Sequence, residues 1–340
     1  MALWTDLIDP AELTGYARAA LSDIEQNNAS LARFLPNREV ADTVVKFTKG
    51  ESGLVQEAAF RAYDAEPEIA GSTSRQRVIL ELPALGQNRP VSEYQQLRSR
   101  NASDEAIRNH ILTETRNVVR AVADRMERLR GTVLVTGKAT IAQSNFVSED
   151  DFGRAAGHTL TASSLWSAGS VDRLADLQAW TDIYTATNNG TAPGALLMSR
   201  RVFRALSSGA QFATLLANGA TRPALAEEVR SFIAGAGLPE IVIYDRSTSG
   251  GRVIPDDRLL FLPAPVDPND GEGSQLGTSF WGQTLTSMDS NWGIEDSEQP
   301  GVVAGVYRNE KPPMIAEVIS DAIALPVLAN ANLSLVAKVL

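Results

Sequence analysis

One long amphipathic helix, expected over residues 103–130, constrains this chain more than anything else in it. Ser103 suits the N-cap, Asp104 and Glu105 fall in the electropositive first turn, and Arg128 and Arg130 in the electronegative last turn. Gly131 is the expected left-handed stop. Ile107, Ile111, Val118, Val122, Met126 and Leu129 recur on one face at helical spacing. Such a helix is a rod about 40 Å long at 1.5 Å per residue, and its stripe must lie on something. Its arginines (Arg108, Arg116, Arg120, Arg125, Arg128) interleave with Asp104, Glu105, Glu114, Asp124 and Glu127. That pattern reads as a salt-bridged outer face, not a nucleic-acid surface.

Around this rod the sequence lays out short elements. Asp9 as N-cap, Pro10 at the first helical position and Glu12 at the capping-box position begin a helix. Leu13, Tyr16, Ala17, Ala20, Leu21 and Ile24 give it an apolar face, and Asn27 and Asn28 end it. Residues 29–48 read as extended chain with a strand at 44–47. Strands at 58–64 and 76–82, joined through Glu66-Pro67-Glu68 and Gly71-Ser72-Thr73-Ser74, read as a long projecting hairpin closed off by Pro83, Gly86 and Pro90. Beyond Gly131, residues 132–135 and 139–142 alternate like strands about Gly137-Lys138. A helix at 173–187, a strand at 195–198, a helix capped by Ser199, a helix from Pro223 to Gly235, and strands at 240–244 and 259–262 follow. Residues 259–307 carry seven acids and no base, and read as mostly loop; residues 314–340 return to strand. The apolar end (Leu333, Leu335, Val336, Val339, Leu340) is expected to pack inside. The fold class is α+β.

Composition excludes much chemistry. The 340 residues suggest about two domains, and 44% hydrophobic with 21% charged residues is a globular balance. No cysteine means no disulfide, thiolate metal site or cysteine nucleophile, and two histidines, His110 and His158, leave little for a histidine-based metal centre. No signal-peptide pattern or membrane-length apolar run is seen. With 31 basic against 41 acidic side chains, the net charge of −10 opposes phosphate binding. The span Gly131 to Lys138 has five residues between its glycines and Ala139 after the lysine, so it fails as a Walker loop. Asp267 to Glu272 places its glycine one position early for a calcium loop. Glu149-Asp150-Asp151, Ser163-Ser164, Ser247-Thr248-Ser249 and His158 lack the partners that catalysis needs.

The order of parts resembles the tailed-bacteriophage major capsid proteins of Hong Kong 97-type fold, the group that includes the phage lambda major head family. The helix at 9–26, the segment 50–82, the helix 103–130, the strands at 134–141, 195–198 and 240–244, and the closing 326–340 carry the likeness, which spans nearly the whole chain. The resemblance implies an N-terminal arm (1–48), an E-loop (49–88), a P-domain (89–165) with its spine helix, an inserted A-domain (166–310), and a P-domain return (311–340). It implies hexamers and pentamers of an icosahedral head enclosing packaged double-stranded DNA without specific binding. Partners would be copies of the chain itself, a scaffolding protein, a portal and a decoration protein. No cofactor, metal or catalytic residue is implied, and the location is the virion, assembled in the host cytoplasm. Candidate inter-subunit contacts are Arg61, Tyr63, Glu66, Arg75 and Arg77 on the hairpin, and Leu13 and Tyr16 on the arm helix. Family heads expand on maturation, for which Gly50, Gly53 and Gly86 are candidate flexible points. Some members link an E-loop lysine to an asparagine. Here no lysine lies from Gly50 through Gly137, and only Lys46 and Lys49 stand at the hairpin base, so non-covalent reinforcement is expected. The alternatives are an encapsulin-like compartment shell and, from a different class, a carboxylate hydrolase using Asp150 and Glu295.

Overall fold

Two β-sheets share one helix. The computed structural model describes residues 2–27, 30–48, 77–98, 104–143, 146–169, 171–212, 224–269 and 273–340. A short strand (β1, Ala2–Leu3) precedes a helix (α1, Pro10–Asn27) that starts where its signals place it, with the Asp9 carboxylate accepting the Ala11 N–H. Strands β2 (Asn37–Glu39), β3 (Val44–Thr48), β4 (Arg77–Glu81) and β5 (Ala84–Val91) follow, then α2 (Glu93–Arg98) and the 33-residue α3 (Asp104–Thr136). Next come β6 (Lys138–Gln143), β7 (Phe146–Asp151), β8 (Thr159–Thr161), α4 (Arg173–Thr187), β9 (Ala195–Met198) and α5 (Arg200–Ser207). A helix at Ala226–Gly235 leads to β10 (Glu240–Ile243), β11 (Ser247–Thr248), β12 (Gly251–Arg252), β13 (Arg258–Leu262) and β14 (Gly277–Gly282). After a one-turn helix (Leu285–Met288), β15 (Val303–Arg308), β16 (Ala316–Leu328) and β17 (Leu335–Lys338) close the chain.

The six-stranded sheet runs β1-β15-β16-β14-β2, with β5 on the opposite edge of β16. The five-stranded sheet runs β10-β9-β13-β17-β8. Strand β16 organises the first. Burial alternates over its first half, as a sheet with one covered face requires, then becomes continuous from Ala322 to Leu328, where both faces are covered. One apolar core gathers Leu13, Ala17, Leu21 and Ile24 of α1 with Val118, Val119, Val122 and Met126 of α3 and Ala304, Val318 and Ala324 of the sheet. The other gathers Leu129, Val133 and Leu134 from the last turns of α3 with α4, α5 and the strands of the five-stranded sheet.

Several expectations change. Helix α3 does not stop at Gly131. It runs one and a half turns further because Val133, Leu134 and Val135 are buried there, and tertiary burial outweighs the strand propensity of that run. The left-handed stop is Gly137, with φ +73°. Gly131 serves close approach instead: a Cβ there would stand 2.8 Å from the Val253 carbonyl oxygen. The hairpin after it is β6–β7, not 132–142. Strand β4 pairs with β3, Val44 opposite Glu81, where the sequence pairs it with 58–64, a stretch outside the described residues. Residues 84–91, expected to close the hairpin off, are strand β5. Gly86 is accordingly no hinge, since it faces Asp321 across the ladder and a Cβ would stand 2.4 Å from the Ser320 carbonyl oxygen. Gly50 and Gly53 lie outside the described residues. The acidic stretch, read as loop, holds the buried strand β14 and most of β15. Sheet membership also ignores a boundary at 310: β14 and β15 join the six-stranded sheet, while β17 lies between β13 and β8 in the other. The C-terminus is packed as expected, with Leu333, Leu335, Val336 and Val339 buried.

Candidate functional site

Nothing among the described residues assembles a reaction centre. Glu149 and Asp151 both hold Lys138, at 3.0 and 3.2 Å, across the β6–β7 hairpin. Asp150 lies between them, its carboxyl pushed up by partial burial while the Ser148 side chain pulls it down. Glu295 stands exposed on the loop between β14 and β15. His158 is buried, with Nδ1 3.3 Å from the Ser334 carbonyl oxygen, and burial pulls its pKa down. The span Gly131 to Lys138 is the last turn of α3 and the start of β6, so its amides serve the helix and no anion loop exists. Among the described residues no group of three His, Asp or Glu side chains could hold a metal ion.

Of the expected contact residues, Arg61, Tyr63, Glu66 and Arg75 lie outside the described residues. Arg77 is the first residue of β4, opposite Thr48. Leu13 is corrected: it is 0% exposed inside the subunit's own core, because α1 docks on α3 and β15, and it presents nothing to a neighbour. Tyr16, on the same helix, is half-buried.

The arrangement with the most elaborate chemistry is a buried charge network that the sequence reading missed. Arg130, fully buried on α3, donates to Glu25 Oε1 at 2.6 Å, Asn37 Oδ1 at 2.6 Å and Ser279 Oγ at 2.9 Å. Glu127, one turn earlier, accepts from Ser30 Oγ at 2.7 Å, the Leu31 N–H at 2.9 Å and the Tyr244 hydroxyl at 2.6 Å. Arg246 reaches Asp124 at 3.0 Å and Glu127 at 3.6 Å. Burial opposes the charge on Arg130, yet Glu25 and Glu127 together raise its pKa. Burial, then the Glu127 carboxylate, pushes the Tyr244 hydroxyl up, so it remains a donor. The signal was available in outline. Glu127 and Arg130 flank Met126 and Leu129 of the apolar stripe, where a solvated charge has no room.

The outer surface carries its own chemistry. Leu285 is 86% exposed and Met288 55% exposed on a turn fixed by reciprocal Thr284–Ser287 hydrogen bonds and by the Thr286 hydroxyl on Asp321. Trp292 anchors this loop from beneath, its ring filling the space that a Cβ on Gly305 would take. Asp289, Glu295, Asp296 and Glu298 are exposed beside it. Val147 and Phe146 project at the β6–β7 turn, 79% and 48% exposed. Firmly held apolar side chains in water are the material of protein–protein contacts.

The chain is similar to known proteins in sequence and in fold. Residues 11–270 match the family described as phage major capsid protein E. A protein assigned as the capsid protein of a prophage in Escherichia coli CFT073 superposes with a TM-score of 0.64 at 15% identity, over 98% of this chain and 99% of that one. A phage-related protein from Bordetella bronchiseptica RB50 gives a TM-score of 0.58 at 13% identity, over 96% and 95%. At these identities the likeness is one of fold. No curated protein matches the sequence.

Proposed function

The chain belongs to the phage major capsid protein E family and is a structural major capsid protein; from that premise we propose that its copies close into the hexamers and pentamers of an icosahedral head around packaged double-stranded DNA. The observation that carries this is the family match over residues 11–270. The proposed organisation is Hong Kong 97-type: arm 1–48, E-loop 49–88, P-domain with α3 as spine, A-domain built on the five-stranded sheet. The charge supports it. A subunit of net −10 does not hold the genome against its wall. Contacts that are individually modest become strong when a closed lattice repeats them.

Reinforcement in this reading is non-covalent, since no lysine lies from Gly50 through Gly137. Arg61, Tyr63, Glu66, Arg75, Arg77 and Tyr16 remain the proposed contact residues. Scaffolding protein, portal and decoration protein are the proposed partners, the host cytoplasm the proposed place of assembly, and no catalysis is assigned. Negative-stain microscopy of the purified full chain tests the reading. Capsomers and closed shells are expected; monodisperse monomers under every salt condition would overturn it.

A further inference from the structure

We propose that the buried network of Asp124, Glu127, Arg130, Tyr244 and Arg246 is an orientation lock, which fixes the angle between the two sheets and thereby the curvature of the assembled shell. The part concerning curvature rests on the capsid reading above; the lock itself does not.

Helix α3 is common to both halves of the molecule. Its residues through Met126 serve a core shared with α1 and the six-stranded sheet, and those from Leu129 serve the core that fills the five-stranded sheet and reaches Ile323, Leu325 and Val327 at the far end of β16. Glu127 and Arg130 stand at that changeover. Besides Glu127, at 3.6 Å on its own helix, Arg130 reaches the six-stranded side, through Glu25 of α1, Asn37 of β2 and Ser279 of β14. Glu127 is read from the other side as well, by Tyr244 and Arg246 just beyond β10, with Tyr244 tied to the five-stranded sheet through its N–H on the Met198 carbonyl at 2.9 Å. The chain of contacts therefore crosses from one sheet to the other through a single turn of helix.

Apolar packing across such a junction is non-directional and tolerates small rotations. Hydrogen bonds of 2.6–3.0 Å onto the carboxylates of Glu127 and Asp124 do not. Removing these charges from water is costly, and their mutual attraction offsets that cost only when every partner is in place. A rotation of one sheet against the other withdraws the Tyr244 hydroxyl and the Arg246 guanidinium together and leaves Glu127 underpartnered. The orientation seen brings the Tyr244 hydroxyl to Glu127 and Arg246 to Asp124 at the same time. Such a network specifies a geometry more than it adds stability, and in a shell of identical subunits a small angular error is repeated at every position.

The absence of cysteine makes the lock directly measurable. Cysteines placed at exposed Thr113 on α3 and exposed Gln178 on α4 (Thr113→Cys, Gln178→Cys) accept one spin label each, and a pulsed dipolar measurement on the full chain gives the distance distribution between the halves. The parent is expected to give one narrow distribution. Tyr244→Phe with Arg246→Met, which strips two partners from buried Glu127, is expected to lower the melting temperature and, below the transition, to broaden the distribution about two-fold. Tyr244→Phe alone, which keeps the ring, is expected to broaden it less and serves if the double variant does not fold. An unchanged distribution in a folded variant overturns the lock, whether or not shells form. Shell diameters measured by electron microscopy test the consequence: uniform shells of parental size from a variant with a broadened distribution would overturn the link to curvature. A parent that forms no shells at all would count against the capsid reading and leave the distance result to decide the lock.

Discussion

Strands of the two large sheets of this molecule are buried by different means. In the five-stranded sheet, β9 is buried at all four positions and β13 from Leu259 to Leu262, by runs of aliphatic residues with an aromatic among them. In the six-stranded sheet, β14 reads Gly-Thr-Ser-Phe-Trp-Gly and is just as deeply placed. Ser279 is fully buried because its hydroxyl donates to the Leu35 carbonyl at 2.9 Å and accepts from Arg130. Strands β9 and β13 are inside because water rejects them; β14 is inside with Ser279 partnered by residues distant in the chain. The first kind of burial is written locally. The second exists only once the chain has folded.

Removing apolar strand is the most damaging way to test that contrast. Deleting residues 333–340 takes away β17, which lies between β13 and β8, together with buried Leu333, Leu335, Val336, Ala337 and Val339. The loss is expected to exceed the whole ~5–15 kcal/mol that holds a domain together. The truncated chain should show no cooperative melting transition; one that melts like the parent would mean that the five-stranded sheet does not depend on its apolar strands.

On the other side of the comparison, Arg130→Met removes one partner of the network and leaves Glu25 and Glu127 buried without it. A loss of about 3–5 kcal/mol is expected in urea unfolding. A loss below about 1 kcal/mol would mean that the polar partners are dispensable and that the two sheets are stabilised alike.

This contrast also explains what the sequence made legible. Helix α4 at Arg173–Thr187 and strand β9 at Ala195–Met198 fall where residue spacing alone puts them, and Ser199 accepts from the Val202 N–H as its position suggests. Cap, propensity and burial agree there. They disagree at Thr132 to Val135, where β-branched residues continue a helix because the second core covers them, and at β14, where Gly277, Ser279 and Gly282 interrupt the strand preference of Thr278, Phe280 and Trp281. The exposed apolar surface was legible least. The stripe of α1 named Leu13 as available to neighbours, when α3 and β15 already use it, and Leu285 announced nothing until its turn was seen to hold it outward. A one-dimensional pattern marks apolar residues but not which surface covers them.

His158, beside β8, is buried in the five-stranded half together with Arg173, Asn188, Ser199 and Ser334, and it sharpens the comparison through pH. Burial lowers its pKa from the ordinary 6.5, and Arg154 adds to that, against the pull of the Ser334 and Asn332 backbone. The unfolded chain therefore binds a proton before the folded one does. Stability from the neutral ring is fully present above about pH 6.5 and is lost as pH falls toward the folded value. The slope expected is up to about 1.4 kcal/mol per pH unit. His158→Asn, which keeps a donor near Nδ1, should flatten it; identical slopes in parent and variant over pH 7 to 5 would show that this ring contributes no linkage.

The smallest effect is expected where the same two helices meet at the surface. Arg116 of α3 and Asp23 of α1 lie 3.5 Å apart with side chains 60% and 55% exposed, whereas Arg130 and Glu25 join the same helices at 2.6 Å with 0% and 2%. Water screens the outer pair and both long side chains lose freedom in forming it, so a double-mutant cycle with alanine is expected to give less than about 0.5 kcal/mol. Salt up to about 1 M should erase what remains, because the Debye length then falls to about 3 Å. The inner pair has no solvent route for that screening. A coupling above about 1 kcal/mol in the outer pair would break the contrast, because charge alone, without burial and without a network, would then suffice to hold α1 on α3.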